Sequence, residues 1–274
     1  MANQRIAFIG GGHITEIILR RLEQGPAMPR AEFIASDRNE ERLRHLRELF
    51  GIETTTDNAA AARRGDLIFV NLRPEAVPVV LPDLLAARLN ADQVVISLAA
   101  GIPLSRYAPL GEQQPLVRAL PNPPSQIGQG IAALVYNSQV TAAQRQKVRS
   151  LFDALGQVVE VDEPYLDVIT SLSSPVATHL FFQALIDAGV RCGLPRPVST
   201  QVASQTIIGS MGMWQARKAS PYDLIGEAST PGGISVEILY ALEEHAFKAA
   251  IIDAITRGAE RARALGRQFG GQGQ

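Results

Sequence analysis

The residues best placed for chemistry come at the start of the chain, in RIAFIGGGHITEIILRRL (5–22). A short apolar run leads into three glycines and an amphipathic pattern follows at once, the strand–turn–helix context that a dinucleotide-binding glycine turn requires. Gly10 permits the tight turn, and Gly12 lets the backbone approach a pyrophosphate at the positive end of the helix. Thr15 stands where a third small residue packs helix against strand, so its bulk predicts a slightly displaced helix with the site retained. The next candidates lie about 25 residues beyond Gly12, in ASDRNEER (35–42). Asp37 is placed to bond a ribose 2′-hydroxyl, which favours NAD; Arg38, with Ser36 as a donor, suits a 2′-phosphate, which favours NADP. The balance falls to NADP, with NAD as the alternative. Arg42, one turn along, reads as a solvated face residue.

A second constellation is STPGGIS (229–235). Thr230-Pro231-Gly232-Gly233 reads as a helix start, where free backbone N–H groups and hydroxyls suit an anionic carboxylate. Other reactive groups are sparse. The single cysteine, Cys192, excludes a disulfide framework or an all-cysteine metal site within one chain and reads as a packing residue; no metal ligands are assigned. His45 reads as solvated, His245 as structural or exposed, and His179, on an apolar helix, as a satisfied core residue. His13 either contacts the cofactor or merely starts the helix. Trp214 fits a core or an interface better than a nucleobase stack.

These groups need a scaffold, and the pattern supplies one. Apolar runs at 6–10, 32–36, 66–72, 93–98, 115–120, 131–136 and 157–161 read as buried strands. Helical segments with recognisable ends lie between several of them: Asp37 precedes NEERLRHLRELF and Gly51 follows it, while Thr141 can cap a segment that stops at Gly156. Alternation of this kind implies an α/β fold with a mostly parallel sheet covered on both faces. After about residue 162 the strand signal vanishes. Helices are expected at 162–173, 175–193 and 195–218, then two more from Pro231 to about Leu265, with a disordered Gly/Gln-rich tail. The boundary predicts domains at 1–161 and 162–274. Apolar excess over several faces of these helices points to cover by a second chain. With 46% apolar residues, 19% charged and a formal net charge of -1, nothing favours nucleic acid or an anionic membrane as partner. No run approaches a membrane span, and the N-terminus is too short for a signal-peptide core, so a cytoplasmic protein is expected.

Taken together, several stretches resemble the pyrroline-5-carboxylate reductase family. FIGGGHIT looks like that family's FIGGGNMA, TTDNAAAARRGDLIFVNLRPEAV is similar to TTDNAEAVEEADVVVLAVKPQ, and ISLAAGIPL is similar to its SIAAGV segment. VRALPNPPSQIGQG resembles VRxMPNTPAxxGxG, DAGVRCGLPR resembles DAGVKLGLPR, and STPGGIS resembles SPGGTT. The matches run collinearly from about Ile6 to Gly266. The resemblance implies a Rossmann-type doubly wound domain followed by an all-helical C-terminal dimerisation domain, and a homodimer or a higher homo-oligomer. Carried over by position, it places His13, Ile14, Asn58 and the turn Asn71-Leu72-Arg73-Pro74 along the cofactor. Ala99, Ala100 and Gly101 would line the nicotinamide side, with Asn122 nearby. Thr230, Gly232, Gly233 and Ser235 would form the substrate-carboxylate loop.

The implied reaction is NAD(P)H-dependent reduction of a small cyclic imino acid, 1-pyrroline-5-carboxylate, to L-proline. Ser235 is the candidate to orient or protonate the substrate, with Thr230 as carboxylate ligand. Departures are visible. His13 stands for Asn, Pro123 for Thr, Arg73 for Lys, and Ile234-Ser235 for two threonines; SLSSPVATH (171–179) replaces LSGSGPAY, and Lys218 falls where an acidic residue is common. These keep three alternatives: another imine or imino-acid reductase, a 3-hydroxyacid-type dehydrogenase, or a catalytically silent NAD(P)-binding dimer. The dehydrogenases commonly use a lysine, and neither Lys147, Lys218 nor Lys248 sits in a comparable motif.

Overall fold

The computed structural model describes residues 4–24 and 31–269. One sheet holds eight strands: β1 (Arg5–Ile9), β2 (Glu32–Ser36), β3 (Glu53–Thr55), β4 (Leu67–Val70), β5 (Val94–Ser97), β6 (Leu116–Pro121), β7 (Gly130–Tyr136) and β8 (Gly156–Glu160). Their spatial order is β3-β2-β1-β4-β5-β6-β7-β8. Every pairing is parallel except β6 with β7. The stretch between those two is a short 3₁₀ turn, Pro123–Ile127, which cannot carry a parallel crossover.

Helices α1 (His13–Gln24), α2 (Glu40–Phe50), α3 (Asn58–Arg64), α4 (Val77–Ala87) and α5 (Ala142–Asp153) connect the strands. β4 (LIFV) and β5 (VVIS) are buried at every residue and apolar but for Ser97, because both faces of the sheet are covered. One core gathers Phe8, Ile18, Leu46, Phe69 and Phe152; the other gathers Ala7, Ile9, Ile68, Leu84 and Tyr107. Phe8 and Phe69, from neighbouring strands, stack at 5.1 Å.

The apolar runs predict every strand but β3. That strand is Glu-Thr-Thr at the sheet edge and has no apolar signal to give. Helix ends also differ from the pattern. Asn39, not Asp37, caps α2, accepting from the N–H groups of Glu41 and Arg42; Gly51 closes it in the left-handed region at φ +63°. Thr141 and Gln144 cap α5 reciprocally, but the helix ends at Asp153, and Gly156 opens β8 instead.

The remaining helices are α6 (Leu166–Leu172), α7 (Val176–Arg191), α8 (Arg196–Arg217), α9 (Pro221–Ala228), α10 (Ile234–Glu244) and α11 (Phe247–Phe269). Helix α9 is absent from the sequence expectation; it is a short segment opened by a Ser220 cap and Pro221. The tail expected to be disordered is helical as far as Phe269, and Gly270–Gln274 lie outside the described residues. Residues 163–191 are long and apolar enough, by length and composition alone, to cross a membrane, contrary to the expectation that no run approaches that length. The stretch is broken between α6 and α7 at Pro175 and carries Glu163, Asp167, Asp187 and Arg191.

The chain packs as two compact units, one of residues 1–173 with 256–274 and one of residues 174–255. This partition differs from a break at 161/162, and the reason is a buried arginine. Arg118, in the middle of β6, has a side chain only 4% exposed and pairs with Glu163 at 3.2 Å and Asp167 at 3.5 Å. Glu163 also accepts the Leu104 N–H at 2.8 Å, and Leu166 is fully buried. The segment after residue 162 is thus tied to the sheet by charge and by core. Replacing Glu163 with Ala leaves that guanidinium short of a partner in a dry site. Hydrogen bonds to charged groups contribute about 1.5–3 kcal/mol, so urea unfolding of Glu163→Ala is expected to show a stability loss of that order.

Candidate functional site

The strand order reverses beside β1, with β2 on one side and β4 on the other, and ligand crevices of doubly wound sheets open at such points. Here the carboxyl ends of β1, β2 and β4 border a cleft of about 730 Å³. It is lined by Gly10, Gly12, Ser36, Asp37, Arg38, Asn58, Asn71, Leu72 and Arg73 from the expected set, together with Asn39, Glu75, Ala76, Val79, Val80 and Asp83. Expected residues His13, Ile14, Pro74, Ala99, Ala100, Gly101 and Asn122 are not in its wall.

The glycine turn is held by its neighbours on every side. Gly10 has φ +103°, and a Cβ there would overlap the Asn71 carbonyl oxygen, so only glycine lets the ends of β1 and β4 come this close. Thr15, buried, donates its hydroxyl to the Gly10 carbonyl at 2.5 Å and accepts from Asn71 Nδ2 at 2.8 Å. Its bulk is used to bond the turn to β4. Among the described residues, no atom beyond the chain neighbours of Gly12 lies within 4 Å of where a Cβ would be, which leaves the backbone open for a ligand at the start of α1.

Asp37 and Arg42 grip the middle glycine. Asp37 Oδ2 accepts the Gly11 N–H at 2.8 Å and Oδ1 accepts the Asn39 N–H at 2.9 Å. Both carboxylate oxygens therefore face backbone donors. Arg42, far from being a solvated face residue, donates Nε to the Gly11 carbonyl and Nη2 to the Gly12 carbonyl at 3.3 Å. Its Nη2 also pairs with Glu16 at 2.7 Å. That bond, assisted by Arg20 at 3.0 Å, pulls the Glu16 carboxyl down to about 2. His45, read as solvated, lies with Nε2 3.4 Å from Glu16.

Elsewhere in the cleft, Asn58 is fixed at both ends of its amide, accepting from Ser36 Oγ at 2.8 Å and donating to Asp83 at 2.9 Å. Asn122 uses both ends as well. Its oxygen accepts from Ile131 N at 2.8 Å and its nitrogen donates to the Ser173 carbonyl at 3.0 Å, joining β6, β7 and the end of α6. Gly101, at φ +73°, lies against the α11 backbone at Ala262 and Gly266, where no side chain fits. His13 sits exposed, 3.4 Å from Gln126.

In the unit of residues 174–255, Thr230 is exposed and Ser235 half-buried. Gly233 is the cap of α10, contributes no capping side chain, and donates its N–H to the Thr230 carbonyl at 2.9 Å. Ser235 is the second residue of that helix, so its hydroxyl and the first free N–H groups share one end. His179 and Cys192, expected in packing, are exposed in the single chain; Lys218 closes α8 in the left-handed region. Arg42 and Asp83 have no motif to mark them. Only the place of Arg42 in the first turn of the helix after β2 could have pointed to the glycine turn.

Residues 163–265 match the family described as pyrroline-5-carboxylate reductase dimerisation, and residues 5–101 match the one described as NADP oxidoreductase, coenzyme F420-dependent. The chain is 33% identical to a pyrroline-5-carboxylate reductase of Corynebacterium melassecola, over 96% of this chain and 98% of that protein. Among solved structures it is similar to 1-pyrroline-5-carboxylate reductase of Streptococcus pyogenes, with 29% identity, a TM-score of 0.86, and coverage of 96% and 99%. It is also similar to the Plasmodium falciparum pyrroline carboxylate reductase with NADP bound, with 25% identity, a TM-score of 0.86, and coverage of 97% and 99%.

The open space beside Gly12 makes it a clean probe of the cleft. The Cβ of a Val at that position has open space among the described residues, and its side chain fills the approach to the helix start. Gly12→Val is expected to keep its melting temperature while its affinity for NADP, by titration calorimetry, falls at least about tenfold, or roughly 1.4 kcal/mol. Unchanged affinity would place the dinucleotide elsewhere.

Proposed function

Because this chain belongs to the pyrroline-5-carboxylate reductase family, we propose that it is an NADPH-dependent oxidoreductase reducing 1-pyrroline-5-carboxylate to L-proline. The observation that carries the reading is the cleft at the β1–β4 reversal, with an open Gly12 at the start of α1. The bound cofactor supplies the hydride, which leaves the protein to bind, orient and handle one proton. Gly10, Gly12 and the N–H groups opening α1 hold the pyrophosphate. Arg38 takes the 2′-phosphate. Ser36 does not share that task, since its hydrogen goes to Asn58, and Asp37 keeps the turn in shape rather than reading the ribose. Asn58, Leu72 and Arg73 flank the rest of the dinucleotide. The backbone at Ala99, Ala100 and Gly101, and Asn122 through the turns it joins, shape the nicotinamide side.

Substrate falls to the second region. The free N–H groups that open α10 behind its Gly233 cap, with the Thr230 hydroxyl, bind the carboxylate, while Gly232 allows the loop its turn. The Ser235 hydroxyl orients the ring and holds a proton at the imine nitrogen, where positive charge raises the electrophilicity of the adjacent carbon. The functional division follows 1–161 for dinucleotide and 162–274 for substrate and dimerisation. The protein works in the cytoplasm.

Steady-state turnover of 1-pyrroline-5-carboxylate with NADPH and NADH is the test. A charge-assisted contact contributes roughly 1.5–3 kcal/mol, so Arg38→Ala is expected to raise KM for NADPH tenfold or more and to leave KM for NADH nearly unchanged. No turnover by the unsubstituted protein with either cofactor overturns the reading.

Dimerisation belongs to the same proposal. In residues 174–255, Leu180 is 70% exposed, Ile208 64%, Ile238 57% and Tyr240 68%, far more apolar surface than a lone soluble chain presents. A second copy covers these faces. Leu180→Glu with Ile238→Glu puts charges into that contact without touching the core of the chain, and a buried unpaired charge costs several kcal/mol. Sedimentation at micromolar concentration is expected to show a dimer for the parent and a dissociated species for the double variant. A parent that sediments as an active monomer contradicts the proposal.

A further inference from the structure

Arg42 is used by none of the steps above, yet it touches the one segment on which cofactor binding depends. Its guanidinium reaches two successive carbonyl oxygens, those of Gly11 and Gly12, and its remaining charge is met by Glu16 at 2.7 Å. Glu16 is one turn into α1, and Arg42 lies in the first turn of α2. The bridge therefore ties the helix that receives the pyrophosphate to the helix after β2, through the turn itself.

From the other side, Asp37 holds the Gly11 N–H at 2.8 Å. The Gly11 peptides are thus fixed at donor and acceptor. Packing agrees: a Cβ on Gly11 would lie 3.0 Å from Leu46 and 3.5 Å from both the Arg42 and Asp37 side chains. A glycine-rich turn loses more backbone freedom on ordering than any other segment. Unless something else orders it, a ligand that needs one arrangement of its N–H groups bears that cost on binding. With the Gly10 N–H on the Ser36 carbonyl and the Gly11 N–H on Asp37, carbonyls held back toward α2 leave the Gly12 N–H and those that open α1 for a ligand.

We infer that Arg42 is a positioning residue for the dinucleotide: with Glu16 and Asp37 it pre-sets the glycine turn, and it acts equally on NADPH and NADH because it reads neither ribose. This rests on the reading that the turn takes the cofactor. Glu16, which pairs with Arg42, is also met by Arg20 and His45, and Asp37 holds the other side of Gly11. Glu16 neutralises the guanidinium, so the role is geometric and not that of a free phosphate-binding cation.

The test compares dissociation constants for NADPH and NADH, by titration of the cofactor-free protein, in the parent, Arg42→Ala and Arg42→Lys. The inference expects both constants to rise about tenfold in Arg42→Ala with their ratio unchanged. In turnover, cofactor KM rises while kcat and substrate KM hold. Arg42→Lys keeps the charge but cannot span two carbonyls and Glu16, so it recovers only part of the loss. Loss confined to NADPH would make Arg42 a 2′-phosphate ligand and overturn the inference. Full recovery by Lys would assign the effect to charge, and a lower melting temperature with unchanged constants would make Arg42 merely structural; either overturns it. Should Arg42→Ala fail to fold, Arg42→Lys decides alone, with weaker binding of both cofactors expected and parental binding contradicting it. A parent that binds neither cofactor fails at the reading beneath, which separates that outcome from the rest.

Discussion

The close approach of β1 and β4 at their carboxyl ends is the constraint on which the site depends. A parallel sheet that winds outward in both directions from one strand leaves a crevice where its connections part, and here that strand is β1. The crevice is usable only if the chain leaving β1 turns sharply under the end of β4. Gly10 permits this by lacking a Cβ where the Asn71 carbonyl stands, and the Asn71 side chain then reaches Thr15 across the same gap. One backbone contact thus sets the direction of α1, the opening beside Gly12 and the wall formed by Asn71, Leu72 and Arg73.

A turn built of glycines is cheap to bend and costly to order. Thr15 bonds the Gly10 carbonyl, while Asp37 and Arg42 bond the two sides of Gly11. Polar groups at the end of β2 thereby do structural work, while Arg38 stands in the cleft wall beside them. A similar economy appears at Asn58 in the cleft wall and at Asn122 outside it, whose amides are each bonded to protein groups at both the oxygen and the nitrogen.

Much of this is legible in the sequence. Buried strands announce themselves as apolar runs, so seven of the eight could be read, whereas β3 gains its pairing from β2 and has no signal of its own. The glycine turn was legible because strand, spacing and helix all agree. Arg42 was not, because its partners are carbonyl oxygens, and any residue type supplies those. Thr15 misled by size, since bulk at a packing position looks unfavourable until the hydroxyl's two bonds are known. The break at 161/162 followed the loss of strand periodicity. Compactness moved it, because Arg118 draws Glu163 and Asp167 back to the sheet, a pairing across 45 residues or more that no local pattern carries. Exposure of His179 and Cys192 reflects faces that one chain alone does not cover.

The most direct measurement is a crystal structure of the protein with NADP bound. The pyrophosphate should lie on the N–H groups that open α1 beside Gly12, with the 2′-phosphate at Arg38. The Gly11 N–H should still be on Asp37, and its carbonyl on Arg42. A dinucleotide bound outside the β1–β4 crevice, or an Asp37 carboxylate that leaves Gly11 to bond the ribose, would contradict that arrangement.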